Sequence, residues 1–199
     1  MMKKYNIFLL CGTLLLTGCL TSNTPAPTYY VLNPFQGSGD TQTQIPLSVV
    51  IERPTIASGL NTDRIALIKN NGRELDYFAQ ARWNGQLDKI VQDFMIESFE
   101  SRYNIVEAGA SSGYKKADYL IATKIRDFQA QYAKGANVPP TIKVTLVFSI
   151  LEFPNKKLVN RVIKTHEKTL QANSMRDITG GFEALLQEAI NGVLHEIPQ

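Results

Sequence analysis

The C-terminal half of the chain contains three long segments in which apolar and polar side chains alternate. A period of two predicts β-strands with one buried face. We expect strands over residues 117–131, 141–153 and 157–170, and the middle strand would bury Ile142, Val144, Leu146, Phe148 and Ile150. Pro154-Asn155-Lys156 predicts a turn between the second and third strands. An antiparallel meander is the simplest topology for the three.

The N-terminal half contains shorter strand-like runs. The runs "TYYVLNP" and "IPLSVVIERP" are rich in β-branched and aromatic residues and close with proline, which ends a strand. Asn71-Gly72 stands between two further runs and supplies the positive φ angles of a hairpin turn. The segment "YNIVEA", which begins at Tyr103, predicts another strand.

Two segments change to helical spacing. Between Asn84 and Arg102, apolar residues recur every three or four positions, which predicts an amphipathic helix capped by Asn84. A second apolar stripe begins at Ile178 and follows Ser174-x-x-Asp177, a loose capping box. We expect His195 in the last turn of this second helix, where a cation suits the helix dipole.

These elements predict an α+β fold, an antiparallel β-sheet meander with the two amphipathic helices packed on one face. The chain has 199 residues, of which 44% are hydrophobic and 20% charged, values that suit one compact domain. We assign this domain to residues 28–199.

Residues 1–18 have the form of a secretory leader. Lys3 and Lys4 precede an apolar run, Ile7–Leu16, whose length of about ten residues is typical of a signal peptide. A membrane-spanning helix needs about 20 apolar residues, so this run is too short to cross a bilayer.

Cys19 follows the leader directly. Leu16-Thr17-Gly18-Cys19 resembles the lipobox of bacterial lipoproteins, in which the thiol is diacylated, the leader is cut before the cysteine and the new amino terminus is acylated. Cys11 would be lost with the leader, so the mature chain would form neither an internal disulfide nor a cysteine-based metal site. The alternative is an ordinary signal peptide cut nearby, which would leave a free thiol in an oxidising compartment.

The residues after Cys19 predict where the domain is held. In lipoproteins of enteric type an aspartate after the cysteine retains the protein at the inner membrane, and by this resemblance Leu20 allows transport to the outer membrane. Residues 19–27 would form the lipidated tether, and its polar part, Thr21–Pro27, spans at most about 23 Å. We therefore expect the domain at the periplasmic face of the outer membrane rather than at the inner membrane.

The charge of the chain argues against nucleic acid as a partner. The formal net charge of +3 falls to +1 once Lys3 and Lys4 are removed. Nucleic-acid binding requires a basic face or a strongly basic domain.

One short motif suggests catalysis. Residues 109–113, "GASSG", match the G-x-S-x-G pattern of serine hydrolases, which would make Ser111 the nucleophile. That motif acts on a sharp turn from strand into helix, whereas "YKKADYLIATKI" follows here and predicts a loop and a strand. The two histidines, His166 and His195, fall in a polar strand and at a helix end. A hydrolase using Ser111 is therefore the weakest hypothesis.

No other motif indicates an active site. The sequence has no phosphate-binding loop and no clustered metal ligands. Asp63, Glu74 and Asp76 lie on the hairpin strands, where we interpret them as solvated residues or cross-strand ion pairs. We predict that the protein is not an enzyme and has no cofactor and no metal.

The middle of the chain resembles a known family. A strand ending in Arg53-Pro54, then Asp63-Arg64-Ile65-Ala66, a polar hairpin, Tyr77, and Ala81-Arg82-Trp83 before a helix are similar to the ABC-type transport auxiliary lipoproteins of the paraquat-inducible protein C type. The resemblance implies a small α+β lipoprotein that works beside an ABC permease and an MCE-domain protein in lipid transport between membranes. It also implies assembly into homo-oligomers.

Four residues are candidates for partner contact. Arg82 and Trp83 stand at the junction of hairpin and helix, and Trp and Arg are enriched at binding hot spots. The competing interpretation is that the only tryptophan packs in the core, the usual role of large aromatic side chains. Tyr29 and Tyr30, next to the tether, complete the set.

The competing function for the whole protein is that of a structural lipoprotein in another envelope assembly or secretion machine.

Overall fold

The computed structural model describes residues 25–34, 45–106, 117–133 and 135–198. Within these ranges the chain forms two helices and a sheet of nine strands. The helices are α1 (Leu87–Glu100) and α2 (Met175–Asn191). The strands are β1 (Thr28–Tyr30), β2 (Ile45–Ile51), β3 (Thr55–Ile56), β4 (Arg64–Lys69), β5 (Glu74–Trp83), β6 (Tyr103–Val106), β7 (Tyr119–Gln131), β8 (Thr141–Glu152) and β9 (Lys157–Thr169).

The predicted meander is confirmed for the last three strands. β7 pairs antiparallel with β8, and β8 pairs antiparallel with β9, along almost their whole lengths. The alternation in β8 holds as well, because Ile142, Val144, Leu146, Phe148 and Ile150 are all fully buried. The period of two therefore gave both the strands and the buried face.

The N-terminal half departs from the predicted antiparallel sheet. β2, β3 and β4 follow one another along the free edge of β7, and each runs parallel to it. Pro54 lies in the break between β2 and β3, where its missing N–H ends the ladder. β6 pairs parallel with β2 and β1 pairs parallel with β5, so the sheet is mixed. A parallel pair requires a crossover, and the connection between the parallel strands β2 and β6 contains β3, β4, β5 and α1.

The β4–β5 hairpin forms as predicted. Lys69 pairs with Glu74 across a turn in which Asn70, Asn71 and Gly72 all have positive φ. Asparagine and glycine are the residues that adopt this conformation most readily.

Both helices pack on the same face of the sheet. Thr123 of β7 donates its hydroxyl to the Met95 sulfur of α1 at 3.6 Å, and Gly181 of α2 lies against Ile142 of β8. Thr123 pairs with Phe148 of β8. Phe148 lies on the same face of β8 as Ile142, so both helices cover one surface of the sheet. The two-helix, one-face arrangement is thus present on a mixed sheet.

The helix ends differ in part from the prediction. Ser174 caps α2 by accepting the Asp177 backbone N–H, which confirms the Ser174 half of the predicted capping box. Asn84 does not cap α1, because the helix begins at Leu87 after Gln86. The Asn84 N–H instead donates to the Tyr30 carbonyl at 3.0 Å and continues the β1–β5 ladder. His195 lies in turns beyond Asn191, where α2 ends, and not in the helix.

Candidate functional site

The β1–β5 ladder brings the four candidate contact residues together. Tyr29 pairs with Arg82, and Tyr30 pairs with Trp83. Because successive side chains of a strand point to opposite faces, the two pairs lie on opposite sides of the sheet. The outer pair is accessible to a partner, and the inner pair belongs to the core.

Trp83 is a packing residue. Its side chain is 1% exposed and meets Phe128 and Phe182 edge-on, with ring centroids 6.0 and 5.6 Å away. Phe128 and Phe182 stack on each other at 4.7 Å. Tyr30 is half-buried against the same core. This aromatic cluster joins β5, β7 and α2, and it holds the strand that carries Arg82.

The outer side carries charged and aromatic groups that position one another. Arg82 Nη1 lies 2.9 Å from Asp63 Oδ1, and both side chains are about one-third exposed. The Arg64 guanidinium lies 3.8 Å above the Tyr77 ring, a cation–π contact. The Tyr77 hydroxyl donates to the Gly59 carbonyl at 2.8 Å. We call Tyr29, Asp63, Arg64, Tyr77 and Arg82 the Tyr29–Arg82 surface.

Exposed apolar groups extend this surface. Tyr29 is 60% exposed, Val31 follows it at 51%, and Leu75 on β5 is 42% exposed. Tyrosine and arginine next to exposed aliphatic groups are the chemistry of protein–protein hot spots. The sequence pointed to Tyr29 and Arg82, whereas the roles of Asp63, Arg64 and Tyr77 required the β4–β5 register.

The remaining hairpin carboxylates are paired with polar or cationic groups. Asp76 accepts from Lys69 Nζ at 2.5 Å, and Glu74 accepts from the Asn70 side-chain amide. The ion pair with Lys69 lowers the pKa of Asp76. These contacts agree with cross-strand pairing rather than with general acid–base chemistry.

The described residues show no catalytic constellation. His166 Nδ1 lies 3.3 Å from Glu188 Oε1 on α2, so its contact is with a carboxylate of the neighbouring helix. Within those ranges no three His, Cys, Asp or Glu side chains form a group able to hold a metal. Ser111 lies outside the described residues.

The anchor residues also lie outside the described residues. These are Leu16, Thr17, Gly18, Cys19 and Leu20, and the structure begins at Pro25, near the end of the predicted tether. Among the described helices, none has the length and apolar character needed to cross a membrane.

The chain belongs to the family of ABC-type transport auxiliary lipoprotein components. The sequence profile of this family matches residues 30–191, which include the whole sheet except the first residues of β1, and both helices. The predicted resemblance is thereby confirmed.

Similar proteins support the fold but give no activity. An uncharacterised protein of Bradyrhizobium diazoefficiens, bll6063, is 28% identical over 142 residues, which cover 70% of this chain and 36% of that protein. The chain therefore spans about a third of the length of this relative. The crystal structure of XCC0632 from Xanthomonas campestris has a TM-score of 0.67 at 19% identity, and covers 85% of this chain and 90% of that one. A second crystal structure, of an uncharacterised protein, also has a TM-score of 0.67, at 10% identity over 87% of this chain and all of the other.

Proposed function

We propose that the protein is a non-enzymatic accessory lipoprotein of an ABC/MCE-type system that moves lipids between the two membranes. It is anchored through Cys19 at the periplasmic face of the outer membrane and binds the ABC permease or the MCE-domain protein. Lipid is a second ligand class, and assembly into homo-oligomers is part of the proposal.

The observation that carries the proposal is the position of the Tyr29–Arg82 surface. Its first residue, Tyr29, lies two residues after the end of the tether at Pro27, and β1 presents the exposed Tyr29 ring beside Arg82. A protein held at a membrane by its N-terminus would therefore present a hot-spot surface next to its anchor. The family, whose members are auxiliary components of ABC-type transport, supports the class of partner.

Affinity purification of the lipidated full chain tests the partner. The protein is crosslinked in cells, extracted from gently solubilised membranes and analysed for bound proteins and lipids. We expect an ABC permease or MCE-domain protein in the crosslinked fraction. Recovery of a secretion or outer-membrane assembly machine instead would favour the competing function.

The Cys19→Ala variant tests the anchor separately. We expect this variant to keep its leader and to lose the mass of the acyl chains. Partition of the variant to membranes at the processed mass of the wild-type chain would overturn lipidation at Cys19.

A further inference from the structure

The sheet face opposite the helices carries an apolar row that crosses five strands. Val106, Val50, Leu120, Leu151 and Leu158 are paired in register from β6 through β2, β7 and β8 to β9. Val50 and Leu120 are buried, whereas Leu158, at the outer strand, is 53% exposed. The apolar row thus opens to solvent at β9.

A second row on this face combines apolar and cationic side chains. Lys124 pairs with Val147, which pairs with Ile163 of β9. Ile163 is 53% exposed, and Arg161 lies two residues before it on the same face. Arg126 is exposed at the bulge where the β7–β8 register shifts after Ile125. We call Lys124, Arg126, Val147, Leu158, Arg161 and Ile163 the basic face.

The cations of the basic face are not neutralised by the part of the chain that is described. Lys124, Arg126 and Arg161 form no ion pair with any described residue.

The acidic residues near these three cations are engaged by other groups. Glu167 pairs with Lys143 at 3.1 Å, and Glu152 stands opposite Lys157 in the ladder. Asp127 is half-buried and accepts the Gln129 side-chain N–H. The surface around Ile163 therefore has an excess of positive charge.

We propose that the basic face lies against a membrane surface that contains anionic headgroups. Lys124, Arg126 and Arg161 would contact the phosphates, and the exposed Leu158 and Ile163 side chains would enter the headgroup layer. The positive charge of this face complements anionic headgroups, and the exposed aliphatic side chains beside it complement the boundary between headgroups and acyl chains. The inference rests on the proposed function, because the Cys19 anchor supplies the nearby membrane.

The tether is long enough for this arrangement. Five strand spacings separate β1 from β9 along β5, β4, β7 and β8, a distance of about 24 Å. The nine residue steps from Cys19 to Thr28 span up to about 30 Å. An anchored chain meets its own membrane at a high effective concentration, so a weak face contact is sufficient.

The edge position of β9 gives the competing explanation. Charged side chains on an edge strand prevent pairing with other chains, and this role alone would leave Leu158 and Ile163 in water. The two explanations differ in whether the Ile163 position contacts lipid.

A fluorescent label at Ile163→Cys in the lipidated full chain measures this contact. Cys19 is acylated and Cys11 is lost, so the new thiol is the one site that reacts. The matched control is Glu97→Cys, exposed on α1 in the other layer. Both proteins are placed in phosphatidylglycerol-containing and in pure phosphatidylcholine vesicles that carry a lipid-bound quencher.

We expect quenching of the Ile163 label in the anionic vesicles, with little quenching of the Glu97 label. The combined variant Lys124→Glu, Arg126→Glu, Arg161→Glu should weaken docking by 100-fold or more, on the order expected for three surface cations. High salt should release the wild-type face, because it screens these charges.

The outcomes separate this inference from the proposed function. A lipidated chain whose Ile163 label stays unquenched in anionic vesicles overturns the docking and leaves the anchor and the partner intact. Quenching that is equal in phosphatidylcholine overturns the role of the cations. A chain that carries no acyl groups overturns the anchor, and the docking with it. Protection of the label by an acidic protein, without contact to lipid, also overturns the proposal.

Discussion

Arg53 and Asp88 form a bidentate ion pair between the loop after β2 and the first turn of α1. Arg53 Nε lies 2.8 Å from Asp88 Oδ2, and Nη2 lies 2.8 Å from Oδ1. Asp88 is 8% exposed and also accepts the Lys89 backbone N–H. The pair ties the segment that joins β2 to β3 to the start of α1.

Asp88→Asn is expected to lower the free energy of unfolding at pH 7 by about 1–2 kcal/mol, since it removes a charge-assisted bond at a largely buried site. The hydrogen bond from Arg53 lowers the pKa of Asp88 below 3.8 in the folded state. Its stabilisation is therefore present above that value and is lost as the pH falls through the folded pKa.

Urea unfolding between pH 7 and pH 2 checks this prediction. The difference in free energy of unfolding between wild type and Asp88→Asn should become smaller as the pH falls. Asp93→Asn, which breaks the exposed pair with Lys89, should change stability by a few tenths of a kcal/mol. A difference in free energy of unfolding that stays constant down to pH 2 would contradict the role of the Asp88 charge.

Trp83→Ala is expected to lower the free energy of unfolding by about 3–5 kcal/mol, because it removes the side chain at the centre of the aromatic cluster with Phe128 and Phe182. Tyr29→Ala, on the neighbouring strand but exposed, should stay within about 0.5 kcal/mol of wild type. Urea unfolding followed by circular dichroism measures both. Similar losses for the two variants would show that Tyr29 also has a packing role.

Adjacent glycines of α2 should respond to alanine in opposite directions. A Cβ on Gly180 meets nothing within 4 Å, so Gly180→Ala should raise the free energy of unfolding by about 0.5–1 kcal/mol through helix propensity. A Cβ on Gly181 would lie 3.0 Å from Ile142 Cγ1 and 3.1 Å from Leu170 Cδ2. Overpacking should offset the helix gain and leave Gly181→Ala about 1 kcal/mol less stable than wild type. Thermal and urea unfolding of both variants test the contact of α2 with β8.

Tyr29→Ala and Arg82→Ala should each weaken binding to the purified partner by about 30-fold, the size of a hot-spot loss of about 2 kcal/mol. Arg176→Ala, at an exposed arginine on α2, is the matched control and should bind as wild type. Isothermal titration with the partner recovered by crosslinking provides the affinities. Unchanged binding by both surface variants would place the partner elsewhere on the protein.

Local pattern predicted most of the elements but not their pairing. The alternation in β8 and the spacing in α1 report burial, which depends on near neighbours in the sequence. The parallel alignment of Leu67 with Ala130 depends on where α1 carries the chain, and no local pattern records that. The cap at Asn84 was predicted wrongly for the same reason, because its N–H is engaged by the distant Tyr30.

The candidate site was predicted to the same extent. Residue type alone selected Arg82 and Trp83 as a pair, and strand alternation then separated them into one exposed and one buried residue. The partners Asp63 of Arg82 and Tyr77 of Arg64 follow from the hairpin register, including its shift between Arg64 and Ala66. A one-residue irregularity of that kind has no sequence signature of its own.

The position of β7 along β2, β3 and β4 has a consequence for how the chain reaches its native state. Without β7, the β2–β6 pair and the β4–β5 hairpin have no strand between them. Contacts as distant in sequence as Leu67 and Ala130 form slowly, because a long loop must close first. Acquisition of the native sheet therefore waits for residues 119–131, and a chain cut before Tyr119 is expected to show no cooperative thermal transition.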